Sequence, residues 1–90
     1  MTSPPEHLNN HHRDTLREIF RHPAGHNIEW HSVVSLLEAV GTVTTHHDGK
    51  VTVTVGSQSV VLAPPAGKDI DTRTVTDLRG MLAAAGYSGG

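Results

Sequence analysis

Val51-Thr52-Val53-Thr54-Val55 alternates valine and threonine without a break, and Asp48-Gly49 lies just before it. Successive side chains of a strand point to opposite faces, so this run sets valines on one side and threonines on the other. Thr42-Val43-Thr44-Thr45-His46 begins the same alternation upstream, and the Asp-Gly pair between the two runs is a strong short-range hairpin signal. Gly56-Ser57-Gln58 makes a second turn and Ser59-Val60-Val61-Leu62 a third strand. A three-stranded antiparallel meander is predicted. Its valine face must be covered, while its threonine face can stay wet.

The cover comes from segments with helical period. Leu16, Ile19 and Phe20 fall at i, i+3 and i+4 between His11 and Arg21, a narrow stripe on a short helix that must dock to be stable. His22-Pro23-Ala24-Gly25 ends it. Glu29 to Val40 carries Trp30, Val33, Val34, Leu36, Leu37 and Val40, a face wide enough to lie on the sheet, with Asn27 as a candidate cap and Gly41 as a candidate left-handed stop. Trp30 reads as a core or helix-edge anchor.

Pro64-Pro65-Ala66-Gly67-Lys68-Asp69 cannot continue a sheet and reads as a rigid loop. Thr72 to Ala85 then returns to the helix period through Val75, Leu78, Met81, Leu82 and Ala85, with Asp71 or Thr72 capping its start and Gly86 its end. Gly80 inside that helix implies either close packing at its turn or a tolerated flaw. The order helix, helix, three strands, helix predicts a two-layer α+β domain, α-α-β-β-β-α, with the helices on one face of the sheet. Residues 1–10 and 88–90 are expected to be flexible, with one domain spanning 11–87.

Ninety residues suffice for one core, and with no cysteine neither a disulfide nor a thiolate zinc site can reinforce it. No segment has the roughly 20 consecutive apolar residues of a membrane helix, and the N-terminus lacks a signal-peptide pattern. A soluble, cytoplasmic protein with no membrane partner is expected. Eight histidines outnumber the seven Lys and Arg, so the sign of the surface field depends on histidine protonation.

The final helix and the loop before it carry a resemblance. Pro64, Gly67-Lys68, Ile70, Thr74-Val75, Leu78-Arg79, Met81-Leu82 and Ala85-Gly86, set after a three-strand meander, resemble the HicA (YcfA-like) toxins of type II toxin-antitoxin systems. The similarity covers about residues 29–87, with the first helix as an addition. It implies a fold like that of double-stranded-RNA-binding domains, a HicB-like antitoxin as partner and, in active members, cleavage of mRNA without the ribosome. Active members carry a Gly-Ser-His or Gly-Thr-His triplet at the start of the second strand. Counting back from Pro64 places that triplet at Gly49-Lys50-Val51, so the catalytic position holds a valine.

Metal-free RNA cleavage needs a base on the ribose 2′-hydroxyl and an acid on the leaving oxygen, and histidine suits both. His46 and His47 are the nearest candidates for a relocated catalytic group. Being adjacent, they would face opposite ways in a strand, so at most one can join a given site. Lys50, Lys68 and Arg73 are the candidate phosphate contacts. After residue 21 the cations are these three and Arg79, against Glu29, Glu38, Asp48, Asp69, Asp71 and Asp77, so the segment is net acidic and offers RNA only weak electrostatic support. Arg79 is expected to pair with Asp77, Asp71 or a phosphate. His7/His11 and His22/His26 have i, i+4 spacing but no sequence-proximal third ligand, so no specific metal site and no cofactor are expected. Two readings remain: a HicA-like RNA-targeting toxin, and a catalytically silent relative that serves as a protein-interaction module.

Overall fold

The computed structural model describes residues 8–21 and 28–87. Its elements are α1 (Asn10–Phe20), α2 (Trp30–Val40), β1 (Thr42–Thr45), β2 (Val51–Val55), β3 (Gln58–Leu62) and α3 (Thr72–Ala84). The strands form one antiparallel sheet in the order β1-β2-β3. The α+β class and the α-α-β-β-β-α order predicted from periodicity are those the chain adopts.

Register puts the alternation to use. Val43 lies opposite Val53 and Val53 opposite Val60, while Val51 faces Leu62 across the β2–β3 ladder. Val51, Val53, Val55 and Leu62 are buried beneath the helices, and Thr42, Thr44, Thr54, Ser59 and Val61 are exposed on the other face. Valine and threonine differ little in shape but greatly in the cost of losing water, which selects the buried face.

Two of the glycines have turn roles that only positive φ satisfies. At the first hairpin the Gly49 amide donates to the His46 carbonyl at 2.9 Å and the His46 amide to the Lys50 carbonyl at 2.8 Å. This is a three-residue loop with Gly49 at φ +94°, the left-handed position that such a loop assigns to glycine. At the second hairpin Gly56, at φ +60°, opens a two-residue turn closed by the Val55–Gln58 pair. Gly41 departs from expectation: its φ of −163° is extended, not left-handed. Glycine is needed there because a Cβ would collide with the Thr54 carbonyl. The chain passes from α2 into β1 too close to the neighbouring strand for any side chain.

α2 packs on β1 and β2, whereas α3 packs on β3. α1 packs against both of these helices and so bridges them. Its Leu16 and fully buried Ile19 join Val33, Leu36, Leu37, Val75, Leu78 and Leu82 in one aliphatic core, with Leu8 added just ahead of the helix. Trp30 is half-buried at the core margin, in keeping with an anchor at the helix edge. Truncating a fully buried leucine such as Leu36 to alanine would cost about 2–5 kcal/mol.

Asp71 caps α3, its carboxylate accepting the Thr74 amide at 2.8 Å. At the other end the Gly86 amide donates to Ala83 and the Tyr87 amide to Leu82, with Gly86 at φ +97°. That is the Schellman pattern, as the glycine after the periodic run predicts. Glu29 occupies the cap position of α2 without a side-chain hydrogen bond. The candidate cap Asn27 lies outside the described residues. Arg79 forms none of the ion pairs expected of it. Its Nε donates to the Ile19 carbonyl and its terminal nitrogen to the Arg21 carbonyl, both at 3.1 Å.

Candidate functional site

The topology gathers the predicted site residues at one end of the domain. The β1–β2 hairpin, carrying His46, His47 and Lys50, sits at the end of the sheet where Val51 lies opposite Leu62, and β3 leaves the sheet there into the 63–71 loop. That loop returns to α2: the Trp30 amide donates to the Lys68 carbonyl at 2.7 Å and the Ile70 amide to the Ile28 carbonyl at 2.9 Å. Glu29 and Asp69 form the isolated antiparallel bridge between these bonds. α2 and α3 therefore both begin at this end, where the helix dipoles favour negative charge. His46, His47, Lys50, Lys68 and Arg73 are all exposed.

Acidic groups occupy the same end. Asp48 accepts the Lys50 amide at 3.0 Å within the turn, Glu29 lies 3.1 Å from His31 Nδ1, and Asp71 holds the α3 cap. The Thr74 hydroxyl and amide donate to the Asp71 carboxylate and hold its pKa below the usual carboxylate range, so it stays ionised. One Asp69 carboxylate oxygen, Oδ1, is buried without a hydrogen-bond partner among the described residues. The cations are thus interleaved with carboxylates, and no continuous basic stripe forms among the described residues.

Val51 is 4% exposed and packed in the core, paired with Thr45 on one side and Leu62 on the other. A side chain at this position points into the apolar layer. His46 follows β1 on the open face, and its Nε2 lies 2.6 Å from the Thr52 hydroxyl. His47 is exposed in the turn. Among the described residues neither histidine contacts a second acid–base group.

A second histidine cluster, whose His11 the sequence offers only as a metal-pair partner of His7, lies where α1 meets α2. His11 Nε2 is 3.1 Å from Ser32 Oγ, and His12 Nε2 is 2.8 Å from Ser35 Oγ. His12 also completes a capping box: its amide donates to Asn9 Oδ1 at 2.8 Å, and its Nδ1 accepts the Asn9 amide at 3.4 Å. Because Nδ1 accepts, the neutral ring carries its proton on Nε2 and donates it to Ser35. A base that would activate Ser35 needs the opposite tautomer. The pair therefore acts as a tie between helices, not as a nucleophile and base. Its sequence signal is Ser32 and Ser35, two hydroxyls flanking the buried Val33, Leu36 and Leu37 face of α2, each of which needs a partner once buried.

Among the described residues no three histidines or carboxylates are grouped to hold a metal ion. His7, His22 and His26 lie outside them. No described helix is long and apolar enough to cross a membrane. No family model, curated protein or solved structure matches the chain.

Proposed function

We propose that this domain is a HicA-like module that binds a protein partner without cleaving RNA. The observation that carries the reading is the burial of Val51: the position aligned with the family's catalytic histidine is a core site, and valine neither accepts nor donates a proton. His46 is engaged with Thr52, and His12 holds the tautomer that cannot activate its serine. A HicB-like antitoxin is the partner that the resemblance names.

Induction of the chain in a bacterium, with growth and message integrity followed together, tests the silent reading. Unimpaired growth with intact mRNA is expected. Growth arrest with cleaved message, abolished by His46→Ala plus His47→Ala, would overturn it and assign catalysis to the hairpin.

A second reading, RNA binding without cleavage, draws on the gathering of Lys50, Lys68, Arg73, His46 and His47 at one end of the domain. Phosphate contacts made by these cations release counterions, so affinity for a short RNA should fall as salt rises from about 50 to about 200 mM. Flat or absent binding over that range would remove this reading and leave the protein-binding one.

A further inference from the structure

We propose that two copies of this chain pair through β3, antiparallel about a two-fold axis at Val60, extending the three-stranded sheet to six strands. The pairing does not depend on the functional reading above.

Hydrogen-bonding geometry comes first. The two-residue turn closes on the Val55–Gln58 pair, so the main-chain groups of Gln58, Val60 and Leu62 face β2, and those of Ser59 and Val61 face outward. Among the described residues neither Ser59 nor Val61 makes a backbone hydrogen bond outside the sheet. Pairing about Val60 sets Ser59 of one copy opposite Val61 of the other, twice. Each such pair exchanges both of its backbone hydrogen bonds.

Side chains select the same edge. Val61, 59% exposed, is the only exposed large hydrophobic residue among the described ones. Val60, on the inner face of the same strand, is only half-buried. In the two-fold arrangement Val60 meets its own copy beneath the helices, and Val61 packs beside Ser59 of the second copy on the open face. One contact thus covers both incompletely buried valines of β3.

Charge permits the approach. Residues 51–67 contain no Asp, Glu, Lys or Arg, so two copies of this edge meet without like-charge repulsion. The strand also lacks the lysine, proline or bulge by which edge strands are usually blocked. The opposite edge differs: β1 runs into a turn containing Asp48 and has no exposed large hydrophobic residue. Over β3, the exposed residues of α3 other than Arg73 are short (Thr72, Thr76, Asp77, Gly80, Ala83 and Ala84), which leaves room for a second α3 alongside. The contact is one strand wide and so falls below a standard interface of about 1,600 Å², which makes the dimer a weak, concentration-dependent one.

Sedimentation velocity on the full chain from about 5 to about 500 µM reads the self-association directly. A dimer fraction rising through this range is expected, with protection of the Ser59 and Val61 amides from exchange only at the high end. Val61→Lys places a charge on the edge, and Ser59→Pro removes an outward amide where proline is tolerated. Both should be monomeric throughout, with unchanged circular dichroism, while Thr44→Lys on β1 should dimerise like the parent. A parent that stays monomeric at about 500 µM would overturn the proposal, as would a dimer that survives Val61→Lys or is lost in Thr44→Lys. A monomeric chain that captures an extended foreign peptide at β3 would overturn it as well.

Discussion

The guanidinium of Arg79 on α3 closes the C-terminal end of α1, donating from Nε to the Ile19 carbonyl at 3.1 Å across 60 positions of sequence. Helix ends leave their last carbonyls without intrahelical partners, and a partly buried cation both bonds them and opposes the negative end of the dipole. The second bond, to the Arg21 carbonyl, uses the fork geometry that only arginine offers. At its other end α1 is tied to α2 through His11 and His12. The first helix is held on both flanks, by a different helix at each end.

Replacing Arg79 tests this arrangement. Arg79→Ala should lower stability in urea by about 1–2 kcal/mol, and Arg79→Lys, which can reach only one carbonyl at a time, should fall between. Equal midpoints for parent and Arg79→Ala would show that the bonds add nothing.

His12 should matter more than His11. His12 is buried and serves both the capping box and Ser35, whereas His11 is exposed. His12→Ala is expected to cost about 1–3 kcal/mol and His11→Ala well under 1. A double-mutant cycle of His12→Ala with Ser35→Ala should give a coupling of about 0.5–1.5 kcal/mol. Additive losses would mean that the 2.8 Å contact contributes no net energy.

Glycine substitutions at two sites should have opposite signs. Gly80 is exposed, and a Cβ there would meet nothing within 4 Å, so its place in α3 is a tolerated flaw and not a packing device. Gly80→Ala should stabilise by about 0.5–1 kcal/mol. Gly41→Ala drives a methyl into the Thr54 carbonyl and should destabilise by more than that, with thermal melting as the common measure.

Asp71 should give the acid limb of stability a defined component. Its pKa is depressed in the fold by the bonds from Thr74. A depressed carboxylate contributes stability above its unfolded pKa, near 3.8, and the contribution fades as pH falls through the lower folded value. Asp71→Asn keeps a capping side chain but cannot titrate, so the difference between parent and variant should shift against the parent below about pH 4. Tyr87 supplies the alkaline counterpart. Burial raises its phenol above 10.0, so its contribution is present below that value and is lost as pH rises through the raised one. Tyr87→Phe should flatten the alkaline limb, and unchanged profiles in both variants would contradict the assignment.

The strands were legible because their signals are local. β2 spans the Val51–Val55 run that the alternation marks, and Asp71 and Gly86 bound α3 as the capping rules require. Gly41 misled because helix ends favour left-handed glycine, while here the deciding contact is with Thr54, a residue 13 positions away. Arg79 misled for the same reason. Its sequence neighbours offer carboxylates, but its bonds run to α1. At the hairpin end, residue types and exposure were readable, but the acidic partners among them and the inward direction of Val51 came from the register.

By itself the sequence determined the elements, their order and the face of the sheet that sheds water, since periodicity, turn glycines and the valine–threonine contrast act within a few residues. Only the tertiary structure decided what α1 packs against and what His11 and His12 hold. Carbonyls at a helix end and hydroxyls on an apolar face take their partners from whatever folds against them. Here those partners are Arg79, His11 and His12, brought into place by docking on α2 and α3.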